Sequence, residues 1–229
     1  MPIYVVPNWF YGYDIAFEVF FALTTLFVAW YAWKIYKLSE QKESKIFATS
    51  FLFISLSYFF WAFLNMFVIS QIKGGFRELN MSNVLLLGTF LIYANIIFFI
   101  SGIALLAYTA LKTESQITLY MILAIAYAAI ILSSNKFMAT YVLASVLLLF
   151  VIIHYFNEYR KNKNKITEAI LLAFVLLFIG NTEFIFAQQN YFNYIICHAL
   201  ELIAYIIILR SLITIVKHGE KKKPARNHP

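Results

Sequence analysis

Long apolar runs separated by short polar segments constrain this chain more than any other sequence feature. A helix needs about 20 apolar residues to cross the hydrocarbon core of a bilayer, and seven segments approach that length: 13–36, 45–71, 83–111, 116–134, 137–157, 166–188 and 191–216. Only Ser134, Asn135 and Lys136 separate the fourth and fifth segments, so a re-entrant hairpin is the alternative at that point. The pattern predicts an all-α bundle of seven transmembrane helices.

The composition supports a membrane protein. Of the 229 residues, 62% are hydrophobic and 13% are charged, whereas about a quarter of the residues in soluble domains are charged. We expect residues 1–216 to form the transmembrane domain and residues 217–229 a basic cytoplasmic tail, with no separate catalytic, kinase or DNA-binding domain. The net charge of +7 comes from basic residues between the apolar runs, which indicates the lipid bilayer as a partner and argues against nucleic acid.

The distribution of basic residues predicts the orientation of the bundle. Cytoplasmic loops of membrane proteins are enriched in Lys and Arg. With the N-terminus outside and the C-terminus in the cytoplasm, all 18 Lys and Arg residues except Lys73, Arg77 and Lys136 fall on the cytoplasmic side. The alternation therefore predicts an odd number of crossings with the N-terminus outside.

Several polar side chains interrupt the apolar runs at a similar depth. At 1.5 Å of rise per residue, they lie about 8 to 15 Å from the outer ends of their predicted helices. Hydrocarbon excludes such groups unless a partner or a function holds them there, although hydrogen bonding between helices is the alternative for the Asn side chains. The predicted ligand-binding residues are Glu18, Asn65, Asn181, Glu183, His198 and Glu201.

The charge of these residues limits the kind of ligand. No Lys or Arg lies in the outer half of any predicted span, so the site would favour a proton, a metal ion or an amine over an anion. We predict a cavity that opens outward and binds a proton, a cation or a small ligand. Asp14 is four positions from Glu18, but it lies near the outer interface, and we expect it to be hydrated.

The last helix combines a possible metal site with a basic residue. His198 and Glu201 are three positions apart, which places both side chains on one helix face, as in di-metal bundles. A metal ion would need a further ligand such as Glu183 or Glu18, and the alternative is that His198 and Glu201 are packing contacts between helices. Near the inner end, we expect Arg210 to act as a coupling residue, either reaching the headgroups or pairing with an acid such as Glu168.

Two families of seven-helix membrane proteins do not fit the sequence. Microbial rhodopsins hold retinal on a Lys in the middle of the seventh helix, whereas the first Lys of that segment here is Lys217 at its inner end. No retinal is therefore expected. Hydrolases of the ceramidase type bind zinc through three His residues, and only His198 lies in the predicted site. We predict no catalytic residue, and no cofactor is assigned.

The first and last helices carry a resemblance to a known class of proteins. A His is followed by a leucine-rich run and a basic residue from His198 to Arg210, and Phe17-Glu18 opens the first helix. In these features the chain resembles the seven-helix sensory modules at the N-terminus of some prokaryotic membrane histidine kinases and cyclases. The resemblance implies a sensor in a prokaryotic cell membrane. Because the cytoplasmic output domain of those proteins is lacking here, it also implies a separate signalling partner at the cytoplasmic face.

These observations leave three classes of function. A stand-alone membrane sensor or receptor-like module is the first expectation. The second is a proton- or cation-coupled transporter of small solutes, which would need a polar path through the inner halves of the helices, and those halves are apolar. The third is a metal-dependent enzyme within the membrane, and we expect a non-enzymatic role over an enzymatic one.

Overall fold

All seven apolar segments form helices in a computed structural model of the protein. The structure describes residues 11–73, 81–113, 115–186 and 191–221, with side chains described within 13–67, 86–113, 115–186 and 193–219. In chain order the helices are α1 Tyr11–Ser39, α2 Lys42–Lys73, α3 Met81–Ala110, α4 Gln116–Leu132, α5 Lys136–Asn162, α6 Lys165–Phe186 and α7 Tyr191–Lys221. No strand occurs in these described ranges, so the prediction of an all-α fold with seven helices is confirmed.

Six of the helices are long and apolar enough to cross a membrane. The exception is α4, which has 17 residues. Large apolar side chains such as Trp30, Leu86 and Leu132 are exposed on the outside of the bundle, a surface that lipid can cover without the cost of hydrating it. These features support an integral membrane protein.

The fourth and fifth apolar segments form two separate helices with a short break between them. The side chain of Asn135 caps α5 by accepting a hydrogen bond from the backbone N–H of Met138 at 3.1 Å. The hydroxyl of Ser133 accepts a hydrogen bond from the backbone N–H of Asn135 at 3.2 Å. Such side-chain caps satisfy backbone groups that a helix end leaves without partners, so one helix ends and the next begins within a few residues.

Six helices form a closed ring. Along this ring α1 packs against α2, α2 against α3, α3 against α5, α5 against α6, α6 against α7, and α7 returns to α1. The short helix α4 lies outside the ring, against α3 and α5. The ring members are therefore the same six helices that are long enough to cross a membrane. Asp14, near the start of α1, contacts Tyr194 near the start of α7 and Asn65 in the second half of α2. Helices α1 and α7 therefore run in the same direction, and α2 runs in the opposite direction.

Away from the end where α1 and α7 begin, most of the buried side chains of the ring are apolar. Phe51, Phe174 and Ile208 are completely buried there. Close packing between α2 and α3 depends on Gly102, where a Cβ would lie 2.6 Å from Cγ1 of Ile54 and 2.8 Å from the backbone oxygen of Ser50. Only a residue without a side chain fits at that distance, so Gly102 sets the separation of these helices.

The predicted tail begins within α7. This helix continues past Val216 to Lys221, so Lys217 and His218 belong to the last helix. Residues 222–229, the remainder of the predicted tail, lie outside the described residues.

Candidate functional site

A small cavity, the His198 cavity, lies inside the helix ring in the half where α1 and α7 begin. Its volume is about 50 Å³, enough for about three water molecules. All six ring helices contribute to its lining, and none of the described lining residues is Lys or Arg. The side chains with hydroxyl, amide, carboxyl or imidazole groups in the lining are Glu18, Ser57, Tyr58, Asn95, Thr140, Tyr141, Tyr194, His198 and Glu201.

The imidazole of His198 lies between two carboxylates. Its Nε2 is 3.5 Å from Oδ1 of Asp14, and its Nδ1 is 3.9 Å from Oε2 of Glu201. All three residues are at most 3% exposed. The predicted proximity of His198 and Glu201 is therefore present, and the second carboxylate comes from the other end of the chain.

Asp14 is held in place by two hydrogen-bond donors. The amide of Asn65 donates to its Oδ2 at 2.9 Å, and the hydroxyl of Tyr194 donates to its Oδ1 at 2.5 Å. The expectation that Asp14 is hydrated is wrong, because α1 packs its first turns against α2 and α7 and these donors replace water. The bond from Asn65 joins α2 to α1, as the alternative of hydrogen bonding between helices predicts, and direct ligand binding by Asn65 stays a prediction.

Glu18 lies one turn after Asp14 on the same helix face and is 2% exposed. One ligand atom from each of Asp14, Glu18 and His198 lies within 4.8 Å of those of the other two. Oε2 of Glu18 and both ring nitrogens of His198 make no hydrogen bond to the described residues. Buried polar atoms are normally hydrogen-bonded, so these three atoms require an explanation.

Aromatic rings enclose the imidazole of His198. Phe17 stacks on it at a centroid distance of 6.1 Å and an interplanar angle of 4°, and Phe21 lies at 5.6 Å. Tyr194 and Phe184 meet it edge to face at 4.5 Å and 5.3 Å. These rings pack on both faces and the edges of the imidazole, and such apolar surroundings strengthen any electrostatic interaction at the site.

A second polar contact lies deeper in the ring. The hydroxyls of Tyr58 on α2 and Tyr205 on α7 are 2.9 Å apart, and the Tyr58 hydroxyl also interacts with the carboxylate of Glu201. Asn95, on α3, donates to the backbone oxygen of Ser57 at 2.9 Å. These contacts join α2, α3 and α7 to one another beside the His198 cavity.

Two predicted site residues on α6 are not in the lining of the His198 cavity. Asn181 is buried, and its amide donates to the backbone oxygen of Leu177 in its own helix at 2.9 Å. Glu183 is half-buried and does not belong to the group of Asp14, Glu18 and His198. Direct ligand binding by Asn181 and metal binding by Glu183 stay predictions that this geometry does not favour.

Arg210 lies far along α7 from the cavity and is exposed. Glu168 is also exposed, and among the described residues no ion pair joins it to Arg210. The suggested pairing of these two side chains is therefore absent from the described structure. The coupling role of Arg210 stays a prediction.

The sequence interpretation missed two tyrosines of the site, Tyr194 and Tyr205, although α7 contains a signal for both. Tyr194, His198, Glu201 and Tyr205 follow one another at intervals of four, three and four positions, the spacing of residues on one face of a helix. Both tyrosines contact site residues. A stripe of polar and aromatic residues in an apolar helix therefore marks the face that turns inward.

Comparisons with known proteins do not assign the chain to a protein family. No protein-family model matches the chain, and no curated protein or solved structure is significantly similar to it. The resemblance to prokaryotic sensory modules stays a prediction, and the function has to be inferred from the geometry of the His198 cavity.

Proposed function

We propose that the protein is a membrane sensor or receptor-like module that binds a cation in the His198 cavity. The observation that carries the proposal is the position of His198, buried between the carboxylates of Asp14 and Glu201. In this proposal seven helices cross the membrane, with the N-terminus outside and the C-terminus in the cytoplasm, and the cavity is close to the outer surface.

The charge of the cavity supports a cation as the ligand. Asp14, Glu18 and Glu201 are buried acids, and no described Lys or Arg lines the space beside them. Buried charges in proteins are normally paired or bound to metal ions, and a cation would supply the missing positive charge. The volume of about 50 Å³ suits an ion with a few water molecules and is far below the few hundred Å³ of typical pockets for organic ligands.

The location of the cavity supports a sensor over a transporter. Its acids and imidazole come from α1 and α7, so binding would change the packing between these helices and shift a two-state equilibrium. Beyond Tyr205, the side chains of Phe51 and Ile208 are completely buried. The buried hydroxyls of Thr25, Ser50 and Ser211 in this half donate to backbone oxygens of their own helices, which does not favour a polar path between helices. In this proposal the signal passes to a separate partner at the cytoplasmic face, and Arg210 belongs to the coupling segment.

The proposal can be tested with Trp61, which lies in the lining of the cavity. In a variant with Trp9→Phe, Trp30→Phe and Trp33→Phe, Trp61 is the only tryptophan left. Its emission in proteoliposomes is recorded while Na⁺, K⁺, Mg²⁺, Mn²⁺ or Zn²⁺ is added. We expect a saturable change for at least one cation, its loss in Glu18→Gln, and its retention in Glu168→Gln as the control, since Glu168 is an exposed acid outside the cavity lining.

Two outcomes would overturn the proposal. If no cation changes the emission of Trp61, the cavity is not a cation sensor. If the same proteoliposomes accumulate the cation, and Glu18→Gln abolishes that uptake while Glu168→Gln does not, the protein belongs to the transporter class.

A further inference from the structure

We infer that Asp14, Glu18 and His198 form a binding site for one divalent transition-metal ion. The inference rests on the proposed function and names the cation. Two carboxylates come from α1 and one imidazole from α7, and one ligand atom of each lies within 4.8 Å of the other two. A bound ion would draw these atoms together and join the first and last helices of the bundle.

The donor set selects the class of metal. Two carboxylates and an imidazole suit zinc, manganese, iron or cobalt, whereas calcium and magnesium sites are built from oxygen alone. Cys197 precedes His198 in the sequence and is buried, but its thiol does not belong to the group of Asp14, Glu18 and His198. A site without thiolate and with a single imidazole favours Zn²⁺ or Mn²⁺ over Mg²⁺ and over monovalent ions.

The surroundings of the three ligands match those of metal centres. Ligating carboxylates and imidazoles are usually oriented by hydrogen bonds to their remaining atoms. Asp14 accepts from Asn65 and Tyr194. His198 has Nε2 on the side of Asp14 and Nδ1 on the side of Glu201, so Glu201 takes the position of the carboxylate that accepts the N–H of a metal-bound imidazole.

The buried atoms without hydrogen bonds are the independent evidence. Oε2 of Glu18 and both ring nitrogens of His198 have no such bond to the described residues, and both residues are at most 3% exposed. Coordination by Glu18 and by Nε2 of His198 would satisfy two of these atoms. A small closing movement towards Glu201 would satisfy Nδ1. Water molecules in the adjoining cavity would complete the coordination shell.

The experiment uses the full chain, purified in detergent without a polyhistidine tag and stripped with a chelator. Calorimetric titration with Zn²⁺ and Mn²⁺, with metal analysis of the product, should give one ion per chain. The absorption spectrum of bound Co²⁺ should report nitrogen and oxygen ligands. Asp14→Asn, Glu18→Gln and His198→Gln should each weaken binding at least tenfold, and Glu201→Gln by about 10- to 100-fold, as expected of a positioning residue.

Matched variants control for non-specific effects. Glu168→Gln and His154→Gln remove one exposed acid and one His outside the group and should bind as the wild type does. Circular dichroism checks that each variant is folded. Glu18→Gln keeps the size of the side chain, and the Co²⁺ spectrum of the wild type tests the ligand set without any substitution.

The outcomes separate this inference from the proposed function. Binding of one Zn²⁺ or Mn²⁺ that Glu18→Gln and Asp14→Asn weaken supports the metal site. If Na⁺ or K⁺ changes the emission of Trp61 while no divalent transition metal binds, the metal inference is overturned and the cation sensor stands. If no cation produces either signal, both are overturned.

Discussion

The hydroxyl of Tyr194 donates a hydrogen bond of 2.5 Å to Oδ1 of Asp14, across 180 positions of sequence. The bond ties the start of α7 to the start of α1 and replaces water around a buried acid. We expect Tyr194→Phe to lower the free energy of unfolding by about 1–3 kcal/mol, because it leaves a buried carboxylate with one donor fewer. Thermal unfolding in detergent micelles measures the effect.

The control for this prediction is Tyr120→Phe on α4, where the ring is exposed. Exposed substitutions usually change stability by less than about 0.5 kcal/mol. Equal unfolding temperatures for Tyr194→Phe and the wild type would show that the bond to Asp14 contributes nothing to stability.

Binding of Zn²⁺ should stabilise the fold, because the ion joins α1 to α7. At a concentration 100 times its Kd, a ligand that binds only the folded state adds about 2.7 kcal/mol to the free energy of unfolding. We expect Zn²⁺ to raise the unfolding temperature of the wild type, a chelator to reverse the change, and Glu18→Gln to show a clearly smaller increase at the same concentration of Zn²⁺. A similar increase in Glu18→Gln would place the stabilising ion elsewhere.

Gly102→Ala should destabilise the contact between α2 and α3. The new methyl group would lie 2.6 Å from Cγ1 of Ile54 and 2.8 Å from a backbone oxygen, so the helices must separate, at a cost of about 1–3 kcal/mol. Gly88→Ala is the control in the same helix, since its Cβ would meet only Cδ1 of Leu64 at 4.0 Å. Unfolding by denaturant should rank Gly102→Ala as the less stable variant, and the reverse order would contradict this packing.

The Tyr58 and Tyr205 hydroxyls, 2.9 Å apart, should behave as a coupled pair. Tyr58→Phe or Tyr205→Phe alone removes one partner of a buried hydrogen bond and should cost about 1–3 kcal/mol. The double variant should cost less than the sum, by about 0.5–1.5 kcal/mol. The control combines Tyr58→Phe with Tyr127→Phe, because the Tyr127 hydroxyl bonds to Ser101 instead, and here the two losses of stability should add. Equal coupling energies in the two double-mutant cycles would contradict a direct contact between Tyr58 and Tyr205.

Lys112 and Glu158 form an ion pair at the surface, with Nζ 2.8 Å from Oε1. The hydrogen bond to Glu158 raises the pKa of Lys112 above its ordinary value. The contribution of this ion pair to the free energy of unfolding is therefore present below the pKa of a lysine in the unfolded chain. It is lost as the pH rises through the pKa of Lys112 in the folded protein. Because Lys112 is half exposed, solvent screening limits that contribution to less than about 1 kcal/mol.

Glu158→Gln should lower the pKa of Lys112 and make it more reactive. Acylation at a fixed alkaline pH, followed by mass spectrometry of peptides, should show faster modification of Lys112 in the variant. Lys34, which has no ion pair with a described acid, should react at an unchanged rate. Unchanged reactivity at both lysines would show that the pair is not formed in solution.

Much of the fold could be predicted from the apolar runs, including the break between α4 and α5. The positions of individual side chains could not. Asp14 and Glu183 illustrate this, because depth along a helix suggested a hydrated Asp14 and a Glu183 inside the site. In the structure, Asp14 is buried and Glu183 lies outside the cavity lining.

The sequence by itself determined which segments are helical and which chemical groups an apolar bundle has to accommodate. Only the tertiary structure decided that Asp14, Glu18 and His198 meet, that six helices close into a ring and that α4 lies outside it. The physical reason is the rotation of each helix about its own axis. A helix that is apolar on every side has little amphipathic signal to fix that rotation, so packing against its neighbours decides which side chains face inward.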